Sequence, residues 1–325
     1  MTRKRLQELL DRQTPRVRRR YLAAMQRVRS RATLAKLEDA LESGTIATVL
    51  DEVERGAALF AAQTEAVTAL VANEVAEQLS KKLDVVVTYD GTNERAVAQL
   101  RSNRQRVIHA MREEAWEVMA DGIKSGTNPR EQARAIRDSI GLTPKQAEWV
   151  RSYRRRLETL DRGALGMELR DARYDGTVRR AIDEAKPLTA KQIDKLVERY
   201  YQRALRYRAE VISRTETMSA VHAGQHEAYQ QAIDDGTLDA DLAIQTWHAG
   251  GPPRSRHWHS SMNGQRKRWG ELFRSGLGNL LKHPGDRDAP VEELANCRCG
   301  RSVKVFASKE AAQAYLDGTA APAAA

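Results

Sequence analysis

From Thr45 onward, Val49, Val53, Phe60, Val67, Val71, Val75 and Leu79 recur at helical spacing, while Asp51, Glu52, Glu65 and Glu77 fall on the other side. A repeat of three to four residues is one stripe of a 3.6-residue helix, and the charged remainder is its solvated face. The segment therefore predicts an amphipathic helix of several turns. Its many alanines permit close approach of a neighbouring helix or a partner subunit. Composition extends the expectation to most of the chain: 30% of the 325 residues are charged and only 5% are aromatic. A surplus of Arg, Glu and Ala favours long helices with thin cores. The 41% of hydrophobic residues is enough for real cores in two or so domains.

The rest of the N-terminal part reads the same way. Two basic helical stretches are expected on either side of Pro15, and the β-branched run Val85-Val86-Val87-Thr88-Tyr89 reads as a strand or a buried helix end. Helix resumes from Asn93 to Ile123, with an expected interruption at Asp121-Gly122. Asn128-Pro129 and Thr143-Pro144 each place a capping side chain before a proline at the first helical position, which predicts a helical hairpin over 128–160. Asp161 to Gly176 reads as a connector. Leu188-Thr189-Ala190-Lys191-Gln192 repeats the cap of Leu142-Thr143-Pro144-Lys145-Gln146 without matching flanks, so it is the same cap used twice rather than an internal repeat. A long helix follows from Thr189 to near Ile212, with Ile193, Leu196, Val197, Tyr200, Ala204 and Tyr207 along one side, and helix continues or restarts through His222, His226 and Tyr229. Arg214 and Glu216 each require a partner if buried. His222 and His226 stand four apart, but no glutamate follows the first histidine as a zincin requires, so surface or capping roles are expected.

The formal net charge of +10 and pI near 9.7 predict non-specific attraction to double-stranded DNA through counterion release. Much of the excess lies in Arg3-Lys4-Arg5, Arg16-Val17-Arg18-Arg19-Arg20 and Arg154-Arg155-Arg156; taken singly, each run reads as a solvated helix face. Two cysteines one residue apart do not make a disulfide framework, which fits a reducing compartment. The basic N-terminus lacks the apolar core of a signal peptide, and no apolar run approaches a membrane span. A soluble protein of bacterial or viral cytoplasm, or of an assembly made there, is expected.

The stretch from Trp247 to Cys299 departs from this pattern, gathering both cysteines, four of the seven histidines and three of the five tryptophans. A strand ending at Trp247, a turn at Gly250 to Pro253, a short polar helix or loop over Arg254 to His259, turns at Asn263-Gly264 and Pro284-Gly285-Asp286, and a closing strand within Ala295 to Phe306 describe a small α+β unit. Units of this size commonly need a staple. Zinc is the candidate: in an extended strand Cys297 and Cys299 point to one face, and one or two of His248, His257 and His259 complete a tetrahedral set. Against that stands the commoner fate of cysteine as a small buried hydrophobe.

This C-terminal module resembles that of the phage Mu F-like minor head proteins, also described as phage head morphogenesis proteins of the SPP1 type. The matching residues are Arg208-Ala209-Glu210, Arg214-Thr215-Glu216, the Trp247 strand, Arg254-Ser255-Arg256 with His259, Asn263-Gly264-Gln265, Pro284-Gly285-Asp286, Glu293 and Asn296-Cys297-Arg298-Cys299. A weaker match continues upstream through Leu169 to Asp175 and the helix after Leu188. Pro252-Pro253 stands where such proteins often carry an acidic and a small polar residue. The resemblance implies a minor component of a tailed-phage head near the portal vertex, acting in head assembly, DNA packaging or genome ejection. Its partners would be the portal protein and the major capsid or scaffolding protein, its site the virion after assembly in host cytoplasm, with no membrane contact before ejection.

The whole is expected to be mainly α: a helical arm over 1–125, a helical domain over 126–240, a small α+β module over 241–306, and a short helix with a disordered tail over 307–325. The competing reading is an enzyme, a metal-dependent phosphodiesterase or toxin-like protein in which His257, His259, Arg254, Arg256 and Glu293 assemble around phosphate.

Overall fold

The computed structural model describes residues 2–125, 128–251 and 255–318. Among them, eight α-helices come first: α1 (Arg3–Arg31), α2 (Leu34–Glu42), α3 (Ala47–Leu83), α4 (Glu94–Ser125), α5 (Pro129–Arg137), α6 (Pro144–Glu158), α7 (Asp175–Asp183) and α8 (Ala190–Asp234). Short elements follow: β1 (Ala243–His248), α9 (His257–Ser260), β2 (Arg266–Arg268), β3 (Phe273–Arg274), β4 (Leu280–Leu281), α10 (Val291–Leu294), β5 (Gly300–Val305) and α11 (Lys309–Leu316). The architecture is mainly α with a small α+β C-terminal part, as the sequence predicts.

The helix starts follow the capping chemistry. The Asn128 side chain accepts from the Glu131 N–H at 3.0 Å, with Pro129 in the first turn of α5. Thr143 and Gln146 form a reciprocal capping box at α6, and Thr189 and Gln192 repeat it at α8, with bonds of 2.8 and 3.3 Å. Elsewhere tertiary packing overrides local signals. Pro15 lies inside α1, whose stripe of Leu9, Val17, Tyr21, Met25 and Val28 is buried on both sides of it; burial of that stripe outweighs the backbone bond a proline removes. Gly122 does not interrupt α4, because a Cβ there would meet Ile136 Cγ1 at 3.0 Å, so the glycine lets α5 approach. The Val85–Thr88 run is neither strand nor buried helix end: Val86 is 86% exposed, and the Ser80 hydroxyl bonds both the N–H and the carbonyl of Val87 at 2.8 and 3.0 Å in place of a strand neighbour. Tyr207, expected on the apolar side of α8, is largely exposed.

The chain forms two compact units, and α1, α3, α4 and α8 supply residues to both. One comprises Arg19–Ala61 and Gln105–Glu210. Its core includes Tyr21, Met25, Phe60, Leu37, Ile136, Leu142, Tyr153 and Tyr201. Gly141 turns between α5 and α6 at φ +77, and its carbonyl accepts from the Tyr21 hydroxyl at 2.6 Å. Arg29 forms a bidentate pair with Glu198 at 2.7 and 2.6 Å, Arg154 bridges Asp138 and Asp194 at 3.0 and 2.9 Å, and Arg208 holds Glu114 at 2.8 Å. Arg155 and Arg156 pair with Glu148 and Asp161 at 3.5 and 2.8 Å, so the whole 154–156 basic run is engaged within the chain.

The other unit comprises Met1–Arg18, Ala62–Arg104 and Val211–Ala325. Its sheet has the order β2-β1-β5, antiparallel throughout, with Thr246 opposite Arg266 and Ser302, and Trp247 opposite Arg301. Strand alternation sorts the two faces. Ile244 packs with Ala312 and Tyr315 of α11, whereas Trp247 joins a core of Met262, Phe273, Leu281, Cys297 and Cys299. The C-terminal part of α8 packs against this module: the Ser219 hydroxyl donates to the Gly285 carbonyl at 2.7 Å, and the Trp269 indole donates to Gln230 at 2.8 Å. His222 on α8 is fully buried, and His226 stacks on Trp269 with ring centroids 4.9 Å apart, so neither has the expected surface or capping role. Their faces are needed for packing. Arg301 is also fully buried, donating to Gln225, Gln245 and the Lys282 carbonyl at 3.2, 3.1 and 3.3 Å beneath the Trp269 ring. Burial lowers its pKa to about 9. The expected tail after Gly318 lies outside the described residues.

Candidate metal centre

His259, Cys297 and Cys299 come together in the second unit as a possible metal-binding triad, with their ligand atoms all within 4.8 Å of one another. His259 sits on α9, a single turn that packs Trp247 edge-on against the imidazole at 5.9 Å. The cysteines lie between α10 and β5. Asn296 turns the chain there at φ 56, a left-handed conformation that asparagine tolerates, and the Cys297 N–H bonds the Leu294 carbonyl at 3.1 Å. Cys297 Sγ and Cys299 Sγ lie 3.6 and 3.5 Å from the same His259 Nδ1.

The other face of the imidazole fixes the tautomer. His259 Nε2 meets Glu293 Oε2 at 2.6 Å, and Glu293 Oε1 accepts from Ser275 Oγ and Asn279 Nδ2 at 2.7 and 2.8 Å. Burial favours the neutral acid of Glu293, but the donors Asn279, Ser275 and His259 outweigh it and hold the carboxyl below its ordinary range. A carboxylate there makes Nε2 the N–H donor and leaves the Nδ1 lone pair facing the two sulfurs. Histidine ligands are commonly oriented this way by an outer carboxylate.

The thiols behave as a pair. Cys297 is brought well below the usual thiol range, first by its bond with Cys299 and, against burial, by His259; the same bond, then burial and the Cys297 charge, push the second thiol, Cys299, up. Trp247 and the Gly250 N–H favour the Cys299 thiolate, as the Cys299 N–H at 3.5 Å favours that of Cys297. Gly250 runs so close that a Cβ would lie 2.9 Å from the Arg298 carbonyl. Burial disfavours a charged His259, but its bonds to Cys297 and Glu293 raise its pKa overall.

The residues fit a tetrahedral metal. Sulfur and nitrogen ligands at about 2.3 and 2.0 Å from a tetrahedral centre stand about 3.5 Å apart, matching the two observed S···N distances. One imidazole lone pair can accept one S–H hydrogen, so a thiol hydrogen bond accounts for only one of them.

The remaining expected residues divide into those that frame this centre and those that do not. His257 is exposed with its ring edge-on to Trp258 at 5.2 Å, and His248 is bound to Ser302 at 2.7 Å; neither joins the triad, because the α9 turn and the β1 pleat direct them elsewhere. Arg256 reaches the Ala295 carbonyl, and Arg254 lies outside the described residues. Of the residues that the enzyme reading brings together, His259 and Glu293 meet. Gly264 (φ 82) and Gln265 return the chain to β1 through the Trp247 carbonyl and N–H at 2.8 and 3.0 Å. Gln265 also exchanges bonds with the Arg274 backbone at 2.8 and 3.2 Å. Asp286 accepts the Lys282 and Asp288 N–H groups at 2.8 and 3.1 Å.

Arg214 and Glu216 find the partners they need: Arg214 donates to Asn296 Oδ1 at 2.7 Å, and Glu216 pairs with Arg287. The Asn296 N–H in turn donates to Thr215 Oγ1 at 2.9 Å. Ser275 and Asn279, which hold Glu293, carry no sequence signal of their own. Arg301 does carry one, a charged residue at an inward position of an otherwise alternating strand.

No protein-family model, curated protein or solved structure matches this chain.

Proposed function

We propose that this chain is a minor head protein of a tailed bacteriophage, bound near the portal vertex, whose C-terminal module is clamped by a structural zinc ion. The observation that carries the reading is the interlocking of separate resemblance-bearing runs around one ligand triad. Arg214-Thr215-Glu216 on α8 hold Asn296 and Arg287, and Asn296 leads directly into Cys297. Zinc is favoured over harder cations because two thiolates and an imidazole suit it, and its lack of geometric preference suits a closed core. Three bonds joining α9 to the α10–β5 segment supply the staple that a unit with strands of two to six residues needs. Long α-helices suit docking onto other helical subunits, and the excess positive charge suits a place beside packed DNA.

Co-expression of the full chain with the portal and major capsid proteins of the same genome tests the assembly role. Retention of the full chain on tagged portal protein is expected. If it associates with neither portal nor capsid, the minor-head reading is wrong.

A further inference from the structure

We infer that the metal held by His259, Cys297 and Cys299 takes its fourth ligand from outside the chain, as a water molecule or a small anion. The inference rests on the metal reading above and extends it to what the centre can bind.

A tetrahedral ion needs four donors, and the described residues bring three within reach. The residues beyond those described are Met1, Gly126, Thr127, Pro252, Pro253, Arg254 and 319–325, none of which has a thiol, imidazole or carboxylate side chain. The acidic group nearest the triad is fully engaged: Glu293 gives Oε2 to His259 and Oε1 to Ser275 and Asn279. The neighbouring histidines are also elsewhere, His257 at the surface and His248 on Ser302.

The surroundings suit a bound anion or water. Trp247 is fully buried with its ring beside His259, and its indole favours the Cys299 thiolate; the Trp258 indole N–H, buried with its ring 6.4 Å from His259, meets no acceptor among the described residues. A buried donor of this kind is costly unless something accepts from it, as a metal-bound oxygen or anion would. Three protein ligands are enough to clamp the module, and the fourth position is then the exchangeable one, where a bound oxygen would be polarised.

The test is cobalt(II) substitution of the full chain, read by visible absorption during titration with sodium azide. The expected result is a saturable shift of the d–d bands while the thiolate-to-cobalt charge-transfer band persists, with Cys297→Ser and Cys299→Ser each removing about half of that band. Bands unmoved by azide but shifted in His257→Ala or His248→Ala would overturn the inference by revealing a fourth protein ligand. Bands unmoved in every case, or lost together with the charge-transfer band as azide strips the metal, would overturn it too. Failure of the purified chain to bind cobalt or zinc at all would instead overturn the metal reading itself.

Discussion

Glu293 shows how much one side chain determines in this protein. It is fully buried, and it sets the tautomer of His259 while its other oxygen is held by Ser275 and Asn279. Replacing it with glutamine keeps the shape but removes the charge that makes Nε2 the donor. Glu293→Gln is therefore expected to weaken zinc affinity roughly 10–100-fold, the range typical of outer-shell carboxylates, with the metal still bound at saturation. Competition against a chromophoric chelator measures this, and an unchanged affinity would remove Glu293 from the account.

His283 is a second residue with a measurable consequence. It is fully buried, and its pKa is lowered to about 4 by burial and by the nearby Arg301 and Lys282 charges, against the opposing pull of Asp286 and a bond to the Pro284 carbonyl. His226, tilted against it at 5.6 Å, is lowered in the same direction. A depressed histidine pKa means that the unfolded chain takes up protons first. Its contribution is complete above the unfolded value near 6.5 and is lost as pH falls from there toward 4. Urea unfolding at pH 7.5 and pH 5 should show a loss of roughly 2 kcal/mol attributable to His283. His283→Gln should flatten that dependence by a similar amount; parallel curves for the two proteins would contradict it.

At the level of elements, glycines report where helices meet. A Cβ on Gly224 of α8 would lie 2.3 Å from the Thr68 carbonyl of α3, so those helices touch backbone to backbone. Gly176 in α7 faces open space. Gly224→Ala should cost about 1–3 kcal/mol through overpacking, and Gly176→Ala should stabilise by about 0.5–1 kcal/mol through helix propensity. Chemical denaturation of the two variants should give opposite signs, and a neutral Gly224→Ala would show that α8 can move off α3.

The elements also show what the sequence made legible. Periodicity and caps placed the helices, because a buried stripe and an N-cap side chain are local in the chain. Pro15 and Gly122 misled as breaks, because the burial and close approach that override them come from residues distant in sequence. The same distance limited the reading of the centre. Cys297 and Cys299 were recognisable from their spacing, but the choice of His259 over His257 and His248 depends on α9 and on a carboxylate 34 residues further along the chain.

For the whole molecule, the net charge of +10 overstates what is free for a partner, since Arg29, Arg154, Arg155, Arg156 and Arg208 are all paired with carboxylates inside one unit. Exposed arginines remain on α1 at Arg16, Arg18 and Arg19. The basic character is thus partly internal architecture and partly surface, and the clamp proposed for the C-terminal module does not depend on it. X-ray absorption on the intact chain, purified without added metal, tests that clamp most directly. One zinc per chain is expected, with two sulfur ligands at about 2.3 Å and lighter atoms at about 2.0 Å completing the shell. A chain that retains no metal, or a zinc shell without sulfur, would contradict it.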